Sequence, residues 1–178
     1  MNVIYKIISN FINNKSLYMG EKITLSEHMI QSAMLAEKAK SNKSLVCACL
    51  LHDYGHFILD EPNDLVIKNL DGKHEEIGYQ YLQKFFKKEV VEPIKHHVKA
   101  KRYLVRDKKY FRQLSKASIL SLKLQGGILS SKESKAFEKE DFFKDAIKLR
   151  KFDDAAKNIG VKIKDIIKYK DLLKASLK

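Results

Sequence analysis

The stretch Leu45-Val46-Cys47-Ala48-Cys49-Leu50-Leu51-His52-Asp53-Tyr54-Gly55-His56 runs an unbroken apolar segment straight into an imidazole and a carboxylate. A helix apolar on every side is a core helix. Its end therefore carries His52 and Asp53 to a place prepared for burial, where unpaired charge is costly. A bound metal ion would offset that cost.

The other histidines point the same way. The chain has 6, at positions 28, 52, 56, 74, 96 and 97, all within the first hundred residues. Three segments ending near 28, 52 and 74 can each bring one to a common point. Imidazole and carboxylate without a thiolate cluster suit Fe, Mn, Zn or Ni rather than a soft-metal site.

Composition bounds the class of protein. A chain of 178 residues is one domain of ordinary size, and 44% hydrophobic with 10% aromatic content excludes disorder. Cys47 and Cys49 cannot bridge each other within a helix, so they read as small buried hydrophobes of a reducing compartment. The opening MNVIYKIISNFINNKS lacks the basic region and cleavage site of a signal peptide, and no apolar stretch has the length of a membrane span. The expectation is a soluble, cytoplasmic protein without a membrane partner; oligomeric state is left open. The net charge of +13 comes from lysine spread along the whole chain rather than gathered on one face, so no nucleic-acid partner is expected. A small anionic substrate fits the charge equally well.

Two prolines, seven glycines and little alternation of apolar and polar residues predict an all-α bundle. Helices are expected over 3–13, from the Thr24-x-x-Glu27 capping box to about 40, and from Asn42 or Ser44 to the His52-Asp53 pair. Pro62 starts a short segment. Further helices are expected from His74 to about Lys87, Val90 to Arg102, Ser115 to Gln125 with a stop at Gly126-Gly127, and Ser131 to Glu138 after Ser130. Asp141 to Lys157 and a basic amphipathic helix from Lys162 to Lys178 complete the chain. No repeat or linker divides it, so residues 1–178 read as a single domain with a core at about 18–157.

Helical phase selects inward residues. Leu149, Phe152, Asp153 and Ala156 share one face, which turns Asp153 to the core and Asp154 toward solvent. Arg150 and Asp153 lie on one side, as do His97 and Lys101.

At this point the residues carry a resemblance. His28, His52-Asp53 and Asp153 follow the H…HD…D pattern of the HD-domain superfamily, metal-dependent phosphohydrolases on an all-α fold. The stretches Tyr18-Met-Gly-Glu21, Ser26-Glu-His28, Leu50-Leu-His-Asp-Tyr-Gly-His56, His97-Val-Lys-Ala-Lys-Arg-Tyr103, Leu114-Ser-Lys-Ala-Ser118, Ser121-Leu-Lys-Leu-Gln-Gly-Gly127 and Leu149-Arg-Lys-Phe-Asp-Asp154 resemble one branch more closely. That branch is the mixed-valent di-iron oxygenases that include 2-amino-1-hydroxyethylphosphonate dioxygenase, with myo-inositol oxygenase a distant relative.

The resemblance implies that His28, His52, Asp53 and Asp153 hold one iron, and that Asp53 bridges to a second held by His74 and His97. It implies a mixed-valent Fe(II)/Fe(III) pair and O2 as co-substrate. Tyr18 would occupy the second iron without substrate and Glu21 would move with it, while His56, Lys101, Arg150, Ser118 and Gln125 would hold a phosphonate. Arginine and lysine are the cations that such a dianion requires. The implied reaction cleaves a carbon–phosphorus bond, releasing phosphate and a carboxylic acid, which is glycine for the aminated two-carbon substrate. The His-Val-x-Ala-Lys pattern selects His97 over an exposed His96, and the Arg-x-x-Asp spacing favours Asp153 over Asp154.

Each residue also has an ordinary reading. A buried histidine commonly bonds a carbonyl, Tyr18 can simply pack, and Lys101-Arg102 alone is a basic helix face. Two other functions use the same scaffold. One is a phosphohydrolase in which His28, His52, Asp53 and Asp153 hold Mn, Co or Zn to activate water. The other is a noncatalytic binder of nucleic acid or an anionic ligand.

Overall fold

A computed structural model describes residues 2–18, 21–59 and 72–178. The segment expected to begin at Pro62 lies outside the described residues.

Side-chain caps set where the first three helices begin. Asn2 accepts from the Ile4 amide at 2.9 Å to open α1 (Val3–Asn13), which buries Ile4, Ile7, Ile8 and Phe11. Thr24 and Glu27 exchange side-chain and backbone hydrogen bonds to open α2 (Leu25–Lys38). Asn42 rather than Ser44 caps α3 (Lys43–Leu51), accepting from the Leu45 amide at 2.8 Å. Every residue of α3 from Leu45 to Leu51 is buried, as its apolar run requires.

After α3 the chain turns through His52-Asp53-Tyr54 into the short α4 (Gly55–Ile58), and α5 spans His74–Leu82. The long α6 covers Lys88–Leu104, followed by α7 (Lys108–Phe111), α8 (Lys116–Leu124) and α9 (Ser131–Phe137). Then come α10 (Phe143–Ala155), a 3-10 turn at Ile166–Tyr169 and α11 (Lys170–Ala175). Among the described residues no strand forms, only isolated bridges between Leu17 and Thr24 and between Phe86 and Leu177. No helix of the described residues is long and apolar enough to cross a membrane. The fold is all-α, as expected.

The core is built around α3. α2 and α6 pack on it, α10 crosses α6, α2 and α3, and α5 lies against α4 and α6. The polar residues of interest thus sit where α2, α3, α5, α6 and α10 converge.

Two boundaries differ from expectation for one reason. The helix from His74 was expected to reach Lys87, and the tail to be helical from Lys162. Instead α5 stops at Leu82, Phe86 is fully buried, and the tail takes up the backbone groups between α5 and α6: Lys87 donates to the Ser176 carbonyl at 3.2 Å and Lys178 to the Phe85 carbonyl at 3.0 Å. The tail helix itself waits for Asp165, which caps the 3-10 turn by accepting from the Ile167 amide at 2.9 Å. Residues 162–164 carry no regular structure. Ile166, Tyr169 and Leu173 bury themselves in the main core, so the tail is an integral layer.

Candidate metal centre and its pocket

Five elements deliver the predicted ligands. His28 comes from α2, His52 and Asp53 from the end of α3, His74 from the first position of α5, His97 from α6 and Asp153 from α10. All six are buried.

Backbone carbonyls determine what the histidines can do. The Nδ1 of His28 faces the Ala156 carbonyl at 2.9 Å, that of His52 the Cys49 carbonyl at 2.9 Å, and that of His97 the Ile94 carbonyl at 2.7 Å. A carbonyl only accepts, so each Nδ1 carries a proton, and the neutral form of each ring presents a bare Nε2 lone pair. Those lone pairs point at other ring nitrogens: His28 Nε2 lies 3.1 Å from His52 Nε2, and His97 Nε2 lies 3.1 Å from His74 Nε2. Two converging lone pairs repel unless a cation stands between them. This donor set fits a metal in each place.

Asp53 links the two places with one oxygen each. Its Oδ2 lies 3.5 Å from His28 Nε2 and 3.3 Å from His52 Nε2, while Oδ1 lies 3.2 Å from His74 Nε2 and 3.5 Å from His97 Nε2. Asp153 joins the first group, with Oδ1 at 3.2 Å from His28 Nε2 and 3.8 Å from His52 Nε2, buried and without a hydrogen bond. His28, His52 and Asp53 form one cluster able to hold a metal, and Asp53, His74 and His97 a second.

The electrostatics are those of an anionic cage. Burial opposes ionisation of Asp53, but the imidazoles of His52, His74 and His97 around it hold its carboxyl well below the usual carboxylate range. Burial likewise opposes ionisation of Asp153, but Arg150 and His28 hold that carboxyl low. At His52 burial disfavours the charged ring, yet Asp53 outweighs it and raises the value to about 9. A metal ion replaces the proton that this field attracts.

The expected substrate residues line one cavity beside the second cluster. Tyr18, His56, Lys101, Ser118, Gln125 and Arg150 all face it, together with Asp53, His74, His97 and Asp153. His56 stacks on His74 with ring centroids 4.2 Å apart, and both its ring nitrogens are buried without a partner. Burial, reinforced by His74, lowers its pKa to about 3, so it is neutral. Lys101 donates to Ser121 at 3.0 Å, and burial beside Arg150 lowers its pKa to about 7. Tyr18 stacks on His28 with centroids 3.8 Å apart, and burial pushes its phenol well up.

Glu21 stands apart from the cavity lining: its amide donates to the Tyr18 carbonyl at 2.6 Å, and its Oε1 is buried without a partner.

Three expectations change. Asp154, expected to point to solvent, is ion-paired with Arg150 and accepts from the Tyr110 hydroxyl, because α7 brings Tyr110 across the end of α10. With Asp153 accepting from Arg150 at 2.6 Å, both aspartates hold one guanidinium. His96, expected to be exposed, is half-buried between Glu92 and Glu140. Lys157 and Ser121 line the cavity although neither was singled out. Ser121 was reachable, lying one helical turn from Ser118.

The helical fold and this histidine–aspartate centre define an HD domain, and residues 25–124 match the HD domain family. That match contains five of the six expected ligands; Asp153 follows it. The chain belongs to the HD-domain phosphonate dioxygenase family. It is 42% identical to the hydroxymethylphosphonate dioxygenase of Gimesia maris over 85% of this chain and 77% of that protein. It is 40% identical to the glycine-betaine-forming 1-hydroxy-2-(trimethylamino)ethylphosphonate dioxygenase of Leisingera caerulea over 83% of this chain and 76% of that one. An uncharacterised protein of Acanthamoeba polyphaga mimivirus is 37% identical over 97% of this chain and 80% of its own.

Proposed function

We propose that this protein uses O2 and a mixed-valent di-iron centre to cleave the carbon–phosphorus bond of a 1-hydroxyphosphonate. The observation that carries this reading is the position of Asp53, one oxygen toward each histidine pair, beside a cavity lined by Lys101, Arg150 and His56. One iron would be held by His28, His52, Asp53 and Asp153, the other by Asp53, His74 and His97. Iron there supplies a Lewis acid for the substrate hydroxyl and electron transfer with O2.

The overall change is balanced without another reductant: a hydroxyphosphonate and O2 become a carboxylic acid and phosphate. The side chains then have distinct tasks. Arg150, fixed by two aspartates, and Lys101 bind the phosphonate oxygens. Neutral His56 donates from one ring nitrogen, and Ser118 and Gln125 complete the polar wall. Tyr18 keeps its proton and shields the centre until substrate enters, with Glu21 moving with it. Carbonyl bonds hold the His28, His52 and His97 rings in the metal-binding tautomer throughout.

For the substituent on the second carbon, we infer a small unmethylated group, as in hydroxymethylphosphonate or 2-amino-1-hydroxyethylphosphonate. Tyr18 is the sole aromatic residue other than histidine among the described lining residues, which supports no aromatic cage for a quaternary amine.

The test is phosphate release, followed by phosphorus NMR, from hydroxymethyl-, 2-amino-1-hydroxyethyl- and trimethylaminated hydroxyethylphosphonate, with air and under nitrogen. Release that needs air and favours the first two supports the reading. Release under nitrogen from simple phosphomonoesters would make the protein a phosphohydrolase instead.

A further inference from the structure

Lys157 lies two residues beyond the end of α10, half-buried, in the wall of the cavity. Its Nζ donates to Ser118 Oγ at 2.8 Å and reaches Ser115 Oγ at 3.4 Å. Ser115 Oγ also accepts from the Ser118 amide at 3.2 Å, in the cap that opens α8.

With the 3.4 Å contact from Lys157 to Ser115 counted as a hydrogen bond, the proton count in this triad has one solution. A hydroxyl offers one proton and two lone pairs. Ser115 spends both lone pairs on the Ser118 amide and Lys157, so its proton goes to Ser118 Oγ, 3.3 Å away. Ser118 then accepts from Ser115 and from Lys157, which fills both of its lone pairs. Its own proton has no acceptor left within the triad and is directed into the cavity that Ser118 lines.

We propose that Lys157 is a positioning residue: with Ser115 it makes Ser118 an obligate donor to the anionic head of the substrate. This rests on the hydroxyphosphonate reading given above. A serine left free would rotate and could turn a lone pair, rather than its proton, toward the anion. Lys157 removes that choice through its bond to Ser118.

The experiment is calorimetric binding of hydroxymethylphosphonate to the iron-loaded protein under nitrogen, where no turnover occurs. Lys157→Met and Ser118→Ala are each expected to raise Kd about tenfold, the loss of one hydrogen bond to a charged group. Because Lys157 acts through Ser118, the double variant is expected to match Ser118→Ala alone rather than multiply the two losses. Lys157→Arg, which still donates to Ser118, is expected to recover most of the affinity. Ser115→Ala serves as an independent variant if Lys157→Met does not fold, and is expected to weaken binding severalfold. Wild-type affinity in Lys157→Met, or losses that multiply in the double variant, would overturn the proposal. Absence of binding by the wild-type protein would instead remove the phosphonate reading, and the proposal with it.

Discussion

Gly55 and His74 meet backbone to backbone: a Cβ at position 55 would stand 1.9 Å from the His74 carbonyl oxygen. Gly78, one turn on, receives the same contact, since its own Cβ would lie 3.1 Å from the Gly55 amide nitrogen. The turn that carries Asp53 and the helix that starts with His74 are thereby held at the separation that both Asp53 oxygens require.

Gly55→Ala is therefore expected to displace α5 and take His74 out of reach of Asp53. Overpacking of this kind costs on the order of 1–3 kcal/mol. Metal analysis should show loss of the second iron with retention of the first, together with a lowered melting temperature. Two irons per chain in this variant would contradict the role given to the contact.

The two adjacent aspartates should separate by function. Asp153→Asn is expected to lower occupancy of the first iron, since Asp153 Oδ1 faces both His28 and His52 and has no hydrogen bond. Asp154→Asn is expected to keep both irons but weaken phosphonate binding about tenfold, because Arg150 loses one arm of its clamp. Iron content measured beside anaerobic binding distinguishes the two.

Lys101 should give binding a pH dependence of known sign. Burial and Arg150 lower its pKa to about 7, so the free protein loses this charge as pH rises through that value. A bound dianion favours the charged form, so binding above that pH takes up a proton and affinity falls toward tenfold per pH unit. The substrate's own titration cancels in the ratio of wild-type to Lys101→Met affinities. That ratio is expected to be flat below about pH 7 and to decline above it; a constant ratio across that range would mean Lys101 stays in one protonation state.

Part of the candidate metal site was legible locally, whereas His74 and His97 were named as ligands only through the family resemblance. His52-Asp53 ends an apolar run, His28 follows a capping box, and helical phase turns Asp153 inward. Lys157 was not legible, since it lies past the end of α10, where phase no longer predicts direction. Asp154 was misread for a related reason: phase gives an angle about one helix, and nothing in it shows that α7 will bring Tyr110 to that side. The break after α5 depends on Phe86 meeting Leu177, a pairing ninety-one residues apart that no local pattern encodes.

The tail offers a stability test independent of the chemistry. Leu173 is fully buried against the main core, so Leu173→Ala is expected to cost about 2–5 kcal/mol of folding stability. Iron content and phosphonate affinity should remain those of the wild-type protein below the melting transition. Thermal unfolding beside metal analysis checks both.

The central claim is that Asp53 bridges two irons that work as one unit. Low-temperature electron paramagnetic resonance of the anaerobically loaded, half-oxidised protein tests it most directly. The account predicts an antiferromagnetically coupled Fe(II)Fe(III) signal that changes when hydroxymethylphosphonate is added and is lost in Asp53→Asn. An isolated ferric signal in the wild-type protein, unchanged by the phosphonate, would contradict it.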